Sequence, residues 1–131
     1  MDNKEIVARF FEAGYTKKDY ASVMACVCEN YVDHSPAKAR SGTDAVNILK
    51  IVAGQFSDLT VKLLDVFGEG DLVAARVLFQ GIHTGTCMGI PATGKHISFE
   101  ALEHFRVEQG KIAESWGYWP DKEIEEKLKA L

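Results

Sequence analysis

Apolar positions recur at helical spacing in the first part of the chain and alternate as in strands in the second. Ile6, Val7, Phe10 and Phe11 repeat at intervals of three and four. They predict one face of a first helix that Gly14 is placed to stop. Thr16 and Asp19 have the spacing of a helix-start signature. Tyr20, Val23, Met24, Val27 and Tyr31 then mark one face of a second helix. Thr43 is the expected cap of a third, with Ala45, Ile48, Leu49, Val52 and Phe56 inward.

From residue 59 the period shortens. Residues 59–67 read as a strand ending at the turn Gly68-Glu69-Gly70-Asp71, and residues 72–83 complete a hairpin. Residues 95–107 form a long third strand, Glu108-Gln109-Gly110-Lys111 a turn, and residues 112–119 a fourth strand. Residues 121–131 read as a short amphipathic tail helix. Helices followed by strands indicate α+β with an antiparallel sheet, as one domain over residues 1–131. Such a sheet, with helices on one face, can curl into an open cone, which has a natural pocket between the layers. Residues 84–94 hold three glycines and one proline and are too irregular for a tight turn. They are either a flap over the pocket mouth or a surface excursion. Gly89 and Gly94 have phosphate-loop spacing, but Lys95-His96 follows without the required Ser/Thr.

Composition narrows the function. The 131 residues are 47% hydrophobic and 26% charged, a globular composition. The net charge of −4 speaks against nucleic acid and anionic lipid as partners. No apolar run approaches a membrane span, and the opening MDNKEIVARFF lacks the apolar core of a secretory signal. The expected location is therefore cytoplasmic. The three cysteines are odd in number, with Cys26 and Cys28 in an apolar helical stretch, and read as small buried hydrophobes.

Strand alternation sorts the polar residues by face. In residues 97–107 it puts Ile97, Phe99, Ala101, Glu103, Phe105 and Val107 on the apolar side, with Glu103 its one carboxylate. His104 and Arg106 fall on the other side. In the last strand Ser115, Gly117, Trp119 and Asp121 share a side. Asp121, beside Trp119 and Pro120, is the most suggestive carboxylate. Pressed against aromatic rings it becomes a base for proton transfer; otherwise it caps the tail helix. His34, His83 and His104 lack metal-ligand spacing, so no metal site is expected. No G-x-S-x-G elbow supports a serine hydrolase, and Cys87 has no evident activating charge.

In order along the chain stand YVDHSP (31–36), GTDAV (42–46), GIHTG (81–85), IPATGK (90–95) and FRVEQGKIAESW (105–116), followed by Asp121. This ordered set resembles the SnoaL-like polyketide cyclase family of the nuclear-transport-factor-2-like superfamily, over most of the chain. The resemblance implies a cone-shaped barrel of three N-terminal helices on a strongly bent, mainly antiparallel sheet. It implies a deep apolar pocket and a homodimer or higher oligomer. It further implies a cofactor-free cyclase for a small apolar or aromatic substrate. Asp121 matches the family's acid/base, and a pocket histidine assists, with His104 and His83 the candidates and His34 next. Tyr15, Phe11, Tyr31, His34, Met88, Phe99, Trp116 and Trp119 are the candidates for contacting substrate. Many relatives carry histidine where this chain has Ser115. The same cone can also host an isomerase, a non-catalytic binding module, or a hydrolase using Arg76 or Arg106 beside Asp121.

Overall fold

A computed structural model describes residues 2–130. Asp2 caps helix α1 (Asn3–Phe11) by accepting the Glu5 amide at 2.9 Å. Ile6, Val7, Phe10 and Phe11 form its buried stripe, as the spacing predicts. Gly14 does not stop the helix. The chain continues through a π-helical turn, Glu12–Thr16. A Cβ on Gly14 would stand 3.0 Å from Leu49, so the glycine lets this turn approach the third helix. Asp19, not Thr16, starts helix α2 (Tyr20–Cys26), its side chain accepting the Ser22 amide.

The expected second helix through Tyr31 is wrong. At Val27 the backbone turns extended, and strand β1 runs Val27–Asp33. Val27 and Tyr31 are both buried, and a spacing of four satisfies both helical and strand periods. Helix α3 (Gly42–Gln55) is capped by Ser41 rather than Thr43, and Phe56 begins β2 instead of ending α3.

Strands β2 (Phe56–Glu69), β3 (Leu72–His83), β4 (His96–Glu108) and β5 (Lys111–Tyr118) follow. The sheet order is β1-β5-β4-β3-β2. Three pairings are antiparallel, but β1 runs parallel to β5, with Asp33 opposite Ser115. The curved sheet is therefore mixed. Helix α4 (Asp121–Lys129) closes the open end, burying Ile124 and Leu128; residue 131 of the expected tail lies outside the described residues. Lys95 holds the end of α4 by donating to the carbonyls of Leu128 (3.1 Å) and Ala130.

The core lies between helices and sheet. Phe11 meets Phe105 edge-on at 5.5 Å, and Phe79 stacks on Phe99 at 5.2 Å. Alternation along β4 is as read from the sequence, with Ile97 through Val107 buried at every second position. Among the described residues no helix is long and apolar enough to cross a membrane.

Candidate functional site

The aromatic core does not fill the space under the helices. A cavity of about 510 Å³ remains, within the range of small-molecule pockets. Its apolar walls include Phe10, Ile48, Leu49, Val52, Phe56 and Ile124. Six of its polar groups come from five different elements. Tyr15 is delivered by the π turn, Tyr31 and Asp33 by β1, and Glu103 by β4. Ser115 comes from β5, and Asp121 stands first on α4. Among the described residues no lysine, arginine or histidine lines it.

Parallel pairing of β1 with β5 builds the first polar cluster. Ser115 Oγ donates to Asp33 Oδ1 at 3.2 Å. Ser35 donates twice more to the same carboxylate, from its amide at 2.9 Å and its hydroxyl at 2.5 Å. The Tyr31 hydroxyl is hydrogen-bonded to Ser115 Oγ. Since the Ser115 proton is committed to Asp33, Tyr31 is the donor in that bond. Burial, with the Asp33 charge beside it, pushes the Tyr31 phenol well above its ordinary value. Burial does the same to Tyr15, with Glu103 adding to it.

Glu103 is the second feature. It is only 8% exposed. Its Oε2 accepts the Trp119 indole N–H at 3.3 Å, a long bond and its only one among the described residues. Desolvation pushes the carboxyl up to about 7; the Trp119 hydrogen bond pulls the other way, and the Asp33 charge adds a lesser upward push. Gly117 lies opposite Glu103 in the β4–β5 register, and a Cβ there would stand 3.0 Å from Glu103 Oε1.

Asp121 lines the mouth of the same cavity and is exposed to solvent. It does not cap α4: Pro120 holds the cap position, with no side-chain bond. Asp121 instead sits in the first turn, where the helix N-terminus favours a negative charge. Across the mouth, Cys87 and Met88 come from the 84–94 loop. This loop does contain a tight turn. Cys87 and Ile90 exchange backbone hydrogen bonds around Met88 and Gly89, both at positive φ. Burial, and after it the charge of Asp121, pushes the Cys87 thiol up, which leaves it a poor nucleophile.

The other expected residues divide. Tyr15, Tyr31, Met88 and Trp119 line the cavity. Phe11 and Phe99 are buried in the core but are not lining residues, Phe99 backing Trp119 at 5.1 Å. The histidines are not brought to the site. His104 is exposed on the sheet face turned away from the helices, because β4 alternation gives the inner position to Glu103. His34 stacks on Trp116 at 5.0 Å and pairs with Glu114 at 2.7 Å, which takes Trp116 out of the cavity as well. His83 is fully buried beside Phe56, its Nδ1 accepting the Thr93 amide at 3.2 Å. Arg76 is held by Asp65 and Glu100, and Arg106 by Glu108 and Glu114. Neither lines the cavity, which counts against the hydrolase alternative. Glu103 was visible in the sequence as the one carboxylate on an apolar strand face. The Tyr31–Ser115–Asp33 cluster was not, because it depends on the β1–β5 pairing.

Helices over a curved mixed sheet, enclosing an apolar cavity lined in part by carboxyl groups, define an α+β fold of the nuclear-transport-factor-2-like kind. Solved structures share this fold. TsrD of Streptomyces laurentii superimposes with a TM-score of 0.88 at 28% identity, over 97% of this chain and 94% of that one. IdmH of Streptomyces antibioticus does so with a TM-score of 0.88 at 23% identity, over 99% of this chain and 100% of that one. The sequence profile of the SnoaL-like polyketide cyclases matches residues 5–128, and the chain belongs to that family. Two curated relatives are similar over a shorter stretch. The aklanonic acid methyl ester cyclase DnrD of Streptomyces peucetius is 38% identical over 53 residues, 40% of this chain and 36% of the relative. DauD of Streptomyces sp. strain C5, of the same description, is 38% identical over 53 residues, 40% of this chain and 32% of the relative. The matched stretch thus spans about a third of each curated relative.

Proposed function

We propose that the protein is a cyclase that closes a ring within a small, largely apolar ester substrate by acid–base chemistry. Asp121 is the base. The observation that carries this reading is a carboxylate at the mouth of an apolar cavity of about 510 Å³, on the family's scaffold. Asp121 removes a proton from carbon beside a carbonyl, and the electron pair delocalises over the substrate's own conjugated system. The resulting carbanion attacks a second carbonyl of the same molecule. Pocket walls hold the two ends in reach of each other, which replaces a bimolecular encounter by an intramolecular one. Self-association belongs to this reading, with exposed Leu72, Leu102 and Tyr118 as apolar surface for it; light scattering tests it.

The experiment uses aklanonic acid methyl ester, the compound named in the two curated relatives. Wild-type protein is expected to convert it to a chromatographically distinct isomer. Asp121→Asn is expected to lose about 100-fold or more of that rate, with an unchanged melting curve. Full retained activity in the variant would refute Asp121 as base. Asp121's exposure favours, as a second reading, a binding module without catalysis. Tight ligand binding without turnover, equal in wild type and Asp121→Asn, would select that reading.

A further inference from the structure

Ring closure leaves negative charge on the oxygen of the attacked carbonyl, and no cationic side chain lines this cavity to receive it. The histidines expected for that task lie elsewhere. We propose that Glu103, as a neutral carboxylic acid, is the proton donor of the cavity. This rests on the cyclase reading above and completes it with a residue of a different chemical class.

The geometry singles out Glu103 in three ways. First, its carboxyl is buried yet lies on the cavity wall. Oε2 takes the Trp119 N–H, while Oε1 has no hydrogen-bond partner among the described residues. Oε1 is also not a sealed atom: among the described residues the buried side-chain polar atom left without a partner is His83 Nε2. Oε1 therefore opens on the cavity. Second, Gly117 supplies the room, since any side chain there would press on Oε1. Third, the neighbouring carboxylate is already tied. Asp33 accepts three hydrogen bonds, from Ser35 twice and from Ser115. Its charge opposes a second one nearby and it is not itself free to donate. The other titratable groups facing the cavity are Tyr15 from the π turn, Tyr31 from β1, Tyr118 from β5, Cys87 from the loop and Asp121 from α4. The phenols of Tyr15 and Tyr31 and the Cys87 thiol are pushed to higher values and are weaker acids than Glu103. One carboxyl buried on the cavity wall and another exposed beside the same cavity are an arrangement that can divide acid from base.

The proton count closes. Asp121 takes the carbon-bound proton, and the electron pair of that bond forms the new carbon–carbon bond. The π pair of the attacked carbonyl moves onto its oxygen, which takes the proton of Glu103. The product is an alcohol, with Asp121 protonated and Glu103 ionised. Exchange with solvent at the cavity mouth restores both.

The test begins without substrate. In protein labelled with ¹³C at the glutamate carboxyl, Glu103→Gln identifies the Glu103 signal. Its titration midpoint is expected near 7, and Asp33→Asn is expected to lower it. A midpoint in the ordinary carboxylate range overturns the proposal even in an active cyclase. Turnover of aklanonic acid methyl ester is then followed against pH. The rate is expected to fall above the midpoint seen by NMR. Glu103→Gln is expected to lower kcat about 100-fold or more, with little change in KM, and to abolish that pH limb. Wild-type kcat in Glu103→Gln overturns the donor role. A wild type inert toward the ester, with the NMR midpoint intact, overturns the transfer step together with the cyclase reading and leaves the neutral carboxyl in place.

Discussion

Glu103→Gln keeps the side chain's shape and removes its ability to ionise, so it isolates what burying this carboxyl does to the fold. Burial raises the folded carboxyl from an ordinary 4.5 to about 7. Between those values the folded chain binds more protons than the unfolded one, so stability falls as pH rises. The contribution is full below about 4.5 and is lost as pH passes through about 7. At about 1.36 kcal/mol per pH unit, complete ionisation costs the wild-type fold about 3 kcal/mol. The glutamine variant carries no such cost. It has its own fixed one, about 1 kcal/mol, from an amide N–H₂ without a full set of partners. Urea unfolding of both proteins across the pH range reads the difference, and titrating groups that do not interact with Glu103 cancel in the comparison. From about pH 5 to about pH 8.5 the balance is expected to move by about 2 to 3 kcal/mol in favour of the variant. Two curves that stay parallel would refute the reasoning, because the Glu103 carboxyl would then titrate alike in the folded and unfolded chains.

Gly85→Ala is expected to destabilise the fold by about 3 kcal/mol, because its Cβ would collide with the Gly54 carbonyl oxygen where the loop meets α3; thermal unfolding checks it. Lys95→Met removes the ammonium that binds the last carbonyls of α4 and is expected to cost about 1 kcal/mol. Faster amide exchange confined to α4 would be its signature, and unchanged protection would refute the latch. Ser115→Ala severs Tyr31 from Asp33 and is expected to cost about 2 kcal/mol in chemical unfolding, since both partners stay buried.

Local signals made much of the fold legible. Helical spacing located α1 and α3, and turn residues located both hairpins, because these depend on near neighbours. Alternation put Glu103 among Phe99, Ala101 and Phe105, so its place inside was readable. Its importance was not, because the Asp33 and Trp119 that surround it are distant in sequence. The misreading of β1 had a physical origin: Val27 and Tyr31 suit either period, and only the partner strand β5 decides between them. The histidines failed for a simpler reason. Being polar and near the expected pocket says nothing about side, and β4 gives His104 the outer one. Asp121, singled out beside Trp119 and by the family resemblance, is among the cavity's lining residues, though it is more exposed than pressure against aromatic rings suggests.

The parallel β1–β5 ladder also sets the order of assembly. The hairpins β2–β3 and β4–β5 close over short turns. Joining β1 to β5 instead brings together residues as far apart as Val27 and Ile112, and the chain gives up its freedom over that span before any bond rewards it. The bonds linking Tyr31 and Asp33 to Ser115 span 84 and 82 positions. These contacts are therefore expected to form in the last stage of folding. Ser115→Ala is accordingly expected to speed unfolding in stopped-flow measurements while leaving the refolding rate nearly unchanged. Slowed refolding would show that the cavity's polar cluster is part of the nucleus instead.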